Sequence, residues 1–247
     1  TYTGFLLNGA PYLLRGVCMH QDLEYKANAL TSADIAHDFE IIADLGCNFI
    51  RTAHYPHPRE FYDWCDRLGI VVQTETPWVN KAQSTMPSDY YTHLESQATD
   101  MITQHMNHPS IIFWGLANEI TTDDKDFAKG IIEGLKAIIN TYDTSRYVGY
   151  VVSHSYPNGL GAFNVPNVDY IGQNLYVGWY IDTNSNNPTT RINTCLGYAN
   201  AHNKPMGLSE YGCGGTQRCH SADPLTTTTR GNNPRHDIEY QMWLHDD

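Results

Sequence analysis

Basic residues are scarce in this 247-residue sequence, which has 15 Lys and Arg against 27 Asp and Glu and a formal net charge of −12. Nucleic acids and anionic membrane surfaces attract cationic patches, so this balance argues against both as partners. Apolar runs are also short, and none approaches the roughly 20 residues of a spanning helix. The N-terminus lacks the basic and then apolar layout of a signal peptide. We therefore expect a soluble protein acting on a neutral ligand, with its compartment (cytoplasmic, periplasmic or secreted) left open.

Metal-binding patterns are absent as well. The six cysteines form no CxxC and no Cys/His ligand pair, and the 12 histidines form no HExxH motif. We therefore expect no metal and no other cofactor, which disfavours a metal-dependent barrel hydrolase. Most of the thiols are expected to be free and buried. Cys213 and Cys219 could form a bridge within one loop in an oxidising compartment, but spacing alone fixes no pairing.

What the sequence does contain is an alternation of strand and helix patterns. Strands are predicted at residues 13–20, 47–51, 70–75, 111–116, 146–152, 169–176 and 205–210, and helices at 31–45, 59–68, 90–107, 126–140, 189–201 and 236–244. Such alternation predicts parallel β/α units, and 247 residues is the usual length of one (β/α)8 TIM barrel. The expected fold is therefore α/β, a TIM barrel of one domain.

The predicted barrel is one strand short. After the seventh strand the sequence is rich in Gly, Thr, Asn and Pro through residue 234 and offers no eighth strand. We therefore predict a barrel truncated before its eighth strand, with residues 1–247 as one catalytic domain of a longer multidomain protein. A seven-stranded barrel exposes a sheet edge, which natural proteins cover. Pairing with a second copy, as a homo-oligomer, is one way to cover it.

Two carboxylates stand at the ends of predicted strands. The apolar run at residues 111–116 leads to Asn118 and Glu119, and the strand at 205–210 ends in Glu210. In a parallel barrel the C-terminal ends of the strands face the active site. A retaining glycosidase needs one carboxyl group to protonate the leaving oxygen and a second, roughly 5 Å away, to attack the anomeric carbon. The pair therefore favours glycosidase chemistry over a solvated loop position for either residue.

Several ordered segments resemble the catalytic barrel domain of glycoside hydrolase family 2. They are Leu-Arg-Gly-Val at 14–17 with His-Gln-Asp at 20–22; Asn-Phe-Ile-Arg at 48–51 with His-Tyr-Pro at 54–56; Asp-Trp-Cys-Asp at 63–66 with Gly-Ile at 69–70; Asn-His-Pro-Ser at 107–110 through Asn-Glu at 118–119; and Lys-Pro at 204–205 through Ser-Glu-Tyr-Gly at 209–212. By this resemblance, Glu119 is the general acid/base and Glu210 is the nucleophile. A general acid must hold a proton near neutral pH, which a dry site or the charge of Glu210 would favour, whereas Glu210 must stay ionised.

The resemblance also implies roles for polar residues at the other strand ends. Arg51 and the hydroxyl of Tyr176 are expected to donate to the nucleophile, and Asn118 is expected to contact the sugar 2-hydroxyl. The remaining expected substrate contacts are His20, Asp22 and His54 as polar groups and Trp179 as a stacking ring. The alternative for the polar groups is that they only hold the barrel loops. Glu75 would either contact substrate or hold Arg51 in place.

The sugar is predicted from the same resemblance. The segment at 20–22 and the loop at 211–220 look most like β-galactosidases of the family, so hydrolysis of terminal β-D-galactosides by double displacement is the preferred function. A β-glucuronidase has to neutralise a substrate carboxylate, and no Asn-x-Lys signature for this follows Glu210. The alternatives are a β-glucuronidase or β-mannosidase of the same family, or a carbohydrate-binding barrel with little turnover.

Overall fold

The computed structural model describes residues 4–82, 85–153, 167–179, 188–216, 218–222 and 237–246. Within these ranges the chain forms a short antiparallel hairpin and then alternating strands and helices. The strands are β1 (Leu6–Leu7), β2 (Ala10–Pro11), β3 (Gly16–Met19), β4 (Phe49–Thr52), β5 (Val71–Glu75), β6 (Val79–Ala82), β7 (Ile111–Thr122), β8 (Tyr147–Val152), β9 (Tyr170–Asn174) and β10 (Met206–Glu210). The helices are α1 (Ser32–Asp44), α2 (Arg59–Leu68), α3 (Tyr90–His105), α4 (Lys125–Tyr142), α5 (Pro188–Ala201) and α6 (Ile238–Asp246).

Seven strands make one parallel sheet in the order β3, β4, β5, β7, β8, β9, β10. The sheet curves until its first and last strands come together. The contact between them is a hydrogen bond of 2.9 Å from the thiol of Cys18 on β3 to the backbone oxygen of Ser209 on β10. The result is a nearly closed parallel barrel, which confirms the predicted fold class. β6 is the eighth strand of the sheet and pairs with β7 outside this order, and the described part of the chain places no further strand between β10 and β3.

Local sequence signals explain where the helices begin and end. Thr31 and Asp34 form a reciprocal capping box at the start of α1. Gly69 ends α2 in the left-handed conformation, at a φ of 69°. Buried apolar residues of α1 and α2 meet at Phe39 and Phe61, whose ring centroids are 5.0 Å apart. No helix within the described ranges is both long enough and apolar enough to cross a membrane.

The interior of the barrel changes character along its axis. Aromatic rings fill the end from which the strands start, where Phe113 lies 6.2 Å from Phe49 and 5.1 Å from Tyr170 between ring centroids. Two residues further along the respective strands, the inward positions hold Arg51 and Gly115. The apolar base therefore supports a polar layer at the C-terminal ends of the strands.

The prediction missed one strand that shapes this polar end. The apolar pattern stops at residue 116, but β7 continues to residue 122 because β6 pairs with its second half in parallel. Most of the other predicted bounds lie within one or two residues of the observed ones. The first strand is shorter than predicted, Gly16–Met19 instead of 13–20. Two predictions lie partly outside the described residues: the start of the last helix at residue 236, and residues 223–234 of the loop predicted after the seventh strand.

Candidate active site

Glu119 stands at an irregular point of β7. The pairing of β7 with β8 shifts register between Gly115 and Asn118, and the backbone N–H of Asn118 donates to the carbonyl of Trp78 at 2.9 Å. Glu119 itself has a φ of 52°, in the left-handed region that costs a residue other than glycine roughly 1–2 kcal/mol. Such strained positions cluster at functional sites, where the surrounding structure imposes them. Asn118 is buried, and Glu119 is partly exposed.

Glu210 ends β10 and takes hydrogen bonds from two side chains. Nη1 of Arg51 donates to its Oε1 at 2.6 Å, and the Tyr176 hydroxyl donates to its Oε2. Nε2 of His54 lies 3.7 Å from the same Oε1. The backbone oxygen of Glu210 accepts from the N–H of Leu175 at 2.8 Å, which ties the end of β10 to the loop after β9. The carboxylate is therefore held by a cation and a phenol, as the sequence predicted.

Arg51 is fully buried and joins several strands through its guanidinium. Besides Glu210, it contacts Glu75, with Nε to Oε2 at 3.1 Å and Nη2 to Oε1 at 2.9 Å, and Nη2 also donates to Oδ1 of Asn118 at 2.8 Å. Burial lowers the pKa of Arg51, but the charges of Glu75, Cys18 and Glu210 more than offset this and raise it above its ordinary value. Glu75 is also fully buried, so its contacts fit the role of holding Arg51.

Asn174, at the end of β9, links the two carboxylate-bearing strands. Its Nδ2 donates to Oε1 of Glu119 at 2.8 Å and to Oδ1 of Asn118 at 3.3 Å, and its Oδ1 accepts from the hydroxyl of Ser209 at 2.7 Å. In the β9/β10 ladder it is the partner of Glu210. Sequence reasoning did not single out Asn174 or Ser209. The signal that could have found Asn174 is its position as the last polar residue of the sixth parallel strand.

The Tyr176 phenol feels both carboxylates. Burial, the hydrogen bond to Glu210 and the negative charges of Glu210 and Glu119 raise the pKa of Tyr176 well above its ordinary value. The hydroxyl therefore stays protonated and remains a donor at neutral pH. Glu119 and Glu210 lie at the same end of the barrel, since Asn174 donates to Glu119 and pairs with Glu210 in the β9/β10 ladder.

Other predicted site residues differ in how they relate to this cluster. His54 belongs to it, since its Nδ1 lies 2.9 Å from Oε1 of Glu75. His20 lies beside His54, with ring centroids 5.5 Å apart, and its Nδ1 is 3.2 Å from the Tyr55 hydroxyl. Trp179 packs edge-on against Tyr176, with ring centroids 5.4 Å apart. These three side chains therefore lie at or beside the cluster.

Asp22 is the exception. It is exposed, and within the described part of the chain it makes no hydrogen bond or ion pair. Its charge instead contributes to raising the pKa of Asp38 on α1, an effect caused mainly by burial of Asp38. The predicted contact of Asp22 with substrate therefore stays a prediction, since an exposed carboxylate with no hydrogen bond in the described chain can still bind a ligand.

The cysteines and one cluster of acidic and histidine side chains were the places to look for a disulfide or a metal site among the described residues. Cys213 and Cys219 are both free thiols. Asp63, Asp66 and His108 come close enough together to be considered as ligands. However, His108 Nδ1 lies 2.7 Å from Oδ2 of Asp66, and Oδ1 of Asp66 accepts the N–H of Ser110 at 2.9 Å. These contacts fix the turn before β7, so the group has a structural role as a set of hydrogen bonds.

Residues 1–222 match the model of the family described as "Glycosyl hydrolases family 2, TIM barrel domain". A β-glucuronidase of Sus scrofa is 34% identical over 229 residues, covering 90% of this chain and 34% of that protein. Two solved structures superpose well. "Bacteroides uniformis beta-glucuronidase 2 covalently bound to cyclophellitol-6-carboxylate aziridine" has a TM-score of 0.80 and 30% identity over 98% of this chain and 29% of the other. A putative β-galactosidase from Bacteroides fragilis has a TM-score of 0.81 and 28% identity over 98% and 34%. The chain spans about a third of the length of the curated relative.

Proposed function

Because the chain belongs to glycoside hydrolase family 2, we propose that it carries the catalytic centre of a retaining β-glycosidase and that its substrate is a β-D-glucuronide. The observation that supports the retaining mechanism most directly is the unequal surroundings of two carboxylates at one end of the barrel. Glu210 accepts hydrogen bonds from Arg51 and Tyr176, whereas the neutral amide of Asn174 donates to Glu119. A guanidinium favours an ionised partner, and a neutral amide is compatible with a protonated one.

In the first step, Glu210 attacks the anomeric carbon while the bond to the leaving oxygen breaks. The electron pair of that bond goes to the leaving oxygen, which takes the proton of Glu119. In the second step, a water molecule gives a proton to Glu119 and its oxygen displaces Glu210 from the anomeric carbon. Arg51 and Tyr176 hold the nucleophile in line, and Asn118 is the candidate donor to the sugar 2-hydroxyl. Substrate contacts by His20, Asp22, His54 and Trp179 are part of the same proposal.

The choice of sugar rests on the relatives. The sequence favoured a β-galactoside through the segment at residues 20–22 and the loop at residues 211–220. The β-glucuronidases of Sus scrofa and Bacteroides uniformis favour the alternative, a β-glucuronide. The Bacteroides fragilis neighbour, named a putative β-galactosidase, keeps the β-galactoside as the second candidate.

The continuous parallel sheet also supports treating residues 1–247 as one catalytic domain.

The test compares aryl β-D-glucuronide, β-D-galactoside and β-D-mannoside as substrates for the protein and for Glu210→Gln. We expect the glucuronide to have the highest kcat/KM and the variant to lose at least about 1000-fold, because covalent catalysis is lost. Higher kcat/KM on the galactoside would instead support the second candidate.

Covalent labelling provides an independent readout of the mechanism. A cyclophellitol aziridine with a C6 carboxylate should react with the protein, and peptide mass spectrometry should find the label on Glu210. A protein that unfolds cooperatively but neither turns over substrate nor takes up the label would refute the retaining mechanism. That result would support a carbohydrate-binding barrel instead.

A further inference from the structure

The carboxylate of Glu119 accepts a hydrogen bond from one side chain, whereas that of Glu210 accepts from two, Arg51 and Tyr176. Within the part of the chain that the structure describes, the amide of Asn174 is its sole hydrogen-bond partner. The backbone of Glu119 lies in the left-handed region at a register shift, so regular strand pairing does not fix the direction of the side chain. The orientation of this carboxyl group therefore depends on Asn174.

The amide of Asn174 can point in only one direction. An arginine has donors and no acceptor, so Nη2 of Arg51 requires Oδ1 of Asn118 on its side at 2.8 Å. That oxygen can accept from Asn174 but cannot donate to it, which turns Nδ2 of Asn174 toward Asn118. The opposite orientation would bring the oxygen of Asn174 against acceptor oxygens of Asn118 and Glu119. The guanidinium that binds Glu210 thus also determines which group faces Glu119.

Ser209 completes this arrangement from the strand that carries Glu210. Its hydroxyl donates to Oδ1 of Asn174 at 2.7 Å, and Asn174 is fully buried. Without this hydroxyl, the buried oxygen of Asn174 would lack its donor and the amide would lose one of its restraints. The three side-chain hydrogen bonds of Asn174 therefore use both of its N–H groups and its oxygen.

We propose, on the basis of the function proposed above, that Asn174, oriented by Ser209, is a positioning residue for the general acid/base. Its N–H occupies Oε1 of Glu119, so the transferable proton resides on Oε2. During cleavage this proton passes to the leaving oxygen as the glycosidic bond breaks, and in the second step Oε2 takes a proton from the attacking water. Asn174 itself forms and breaks no bond to substrate in this scheme.

The experiment uses the dependence of the rate on the leaving group. A phenyl glycoside of the cleaved sugar needs a proton on its leaving oxygen, whereas a 2,4-dinitrophenyl glycoside leaves readily without one. For Asn174→Ala we expect kcat/KM to fall about 100-fold with the phenyl glycoside, because a displaced acid loses much of its contribution. With the 2,4-dinitrophenyl glycoside we expect a fall of less than about 5-fold. Ser209→Ala should show the same selectivity at about 10-fold, since the amide remains.

Two further variants separate the possible outcomes. Glu119→Ala should show the largest selective loss, and azide should restore its turnover of the dinitrophenyl glycoside by attacking the glycosyl intermediate. Gln173→Met removes two side-chain hydrogen bonds on the same strand, to the backbone carbonyls of Ser153 and Asn174, neither of which involves a carboxylate. This variant should change kcat/KM by the same factor for the phenyl and the 2,4-dinitrophenyl glycoside.

Equal losses on both glycosides in Asn174→Ala and Ser209→Ala would overturn the positioning role and leave a structural one. If Asn174→Ala does not fold, Ser209→Ala decides the question alone. A protein without turnover of either glycoside, or a Glu119→Ala variant without selective loss, would instead overturn the proposed function on which this role depends.

Discussion

Arg51 is the residue on which the candidate site depends most, because it carries a buried positive charge. Its guanidinium is fully buried and is balanced by Glu75 at 2.9 Å and Glu210 at 2.6 Å. Two carboxylates around one cation balance its charge and accept three hydrogen bonds from the guanidinium, and Oδ1 of Asn118 accepts another. Of the two carboxylates, Glu75 is fully buried and Glu210 is partly exposed. Without Arg51, the charge of Glu75 would therefore have the larger desolvation cost.

At this scale we predict that Glu75→Gln lowers the free energy of unfolding by about 3 kcal/mol, because removing one partner of a buried ion pair leaves the other charge poorly compensated. Urea unfolding followed by circular dichroism measures this. The matched control is Lys129→Gln, which breaks an exposed pair with Glu133 at 4.0 Å on α4. The control should change stability by less than about 0.5 kcal/mol. Equal effects of the two variants would contradict the importance of burial.

At the scale of elements, β7 shows how a strand creates space for the site. Its Gly115 lies inside the barrel next to β5, and a Cβ at this position would stand 2.6 Å from Cβ of Glu75 and 3.0 Å from its Oε2. The absence of a side chain thus gives Glu75 the room in which it contacts Arg51. The glycine in this apolar part of β7 therefore leaves the space that the Glu75 side chain occupies.

Gly115→Ala is therefore expected to destabilise the protein by about 1–3 kcal/mol, because the added methyl overpacks the barrel. It should also reduce kcat/KM, since Glu75 and Arg51 have to move. Gly130→Ala on α4 is the comparison, because a methyl group at that position would meet nothing within 4 Å. That variant should stabilise the helix by about 0.5–1 kcal/mol. Thermal unfolding of both variants, with activity, checks the prediction, and a stable, fully active Gly115→Ala would refute it.

At the scale of the whole molecule, buried histidines make the fold sensitive to acid. Burial lowers the pKa of His57 and His105 to about 4, with nearby positive charges adding to the effect. His105 packs on Tyr62, with ring centroids 4.6 Å apart, and its Nδ1 is buried without a hydrogen-bond partner in the described chain. A protonated imidazole at either position would be poorly solvated.

We predict that stability falls as the pH falls from about 6.5 to about 4. In this window the unfolded chain binds protons at these histidines and the native protein does not, so acid favours unfolding. The midpoint of thermal unfolding, measured at several pH values, should fall more gradually for His105→Phe than for the parent. His93→Gln, an exposed position on the same helix, should keep the parent slope. A parent midpoint that is flat over this window would contradict the prediction.

The barrel and its two carboxylates were predictable because they depend on local order in the sequence. Apolar runs, capping residues and a glycine stop determine strands and helices, and alternation of the two determines a parallel sheet with Glu119 and Glu210 at the same end. Even so, the run at residues 111–116 predicted a strand that stops before Asn118. Only the pairing of β6 with β7 extends this strand past Asn118.

What only the tertiary structure decided is which side chains share hydrogen bonds. Asn174 lies 55 positions from Glu119 and 35 from Ser209 in the sequence, and nothing in the local pattern of β9 indicates either contact. Periodicity and capping are properties of neighbouring residues, so the sequence by itself determines the elements and their order. The direction of an amide or a carboxylate is determined by donors and acceptors from other strands, which the closed barrel alone brings together.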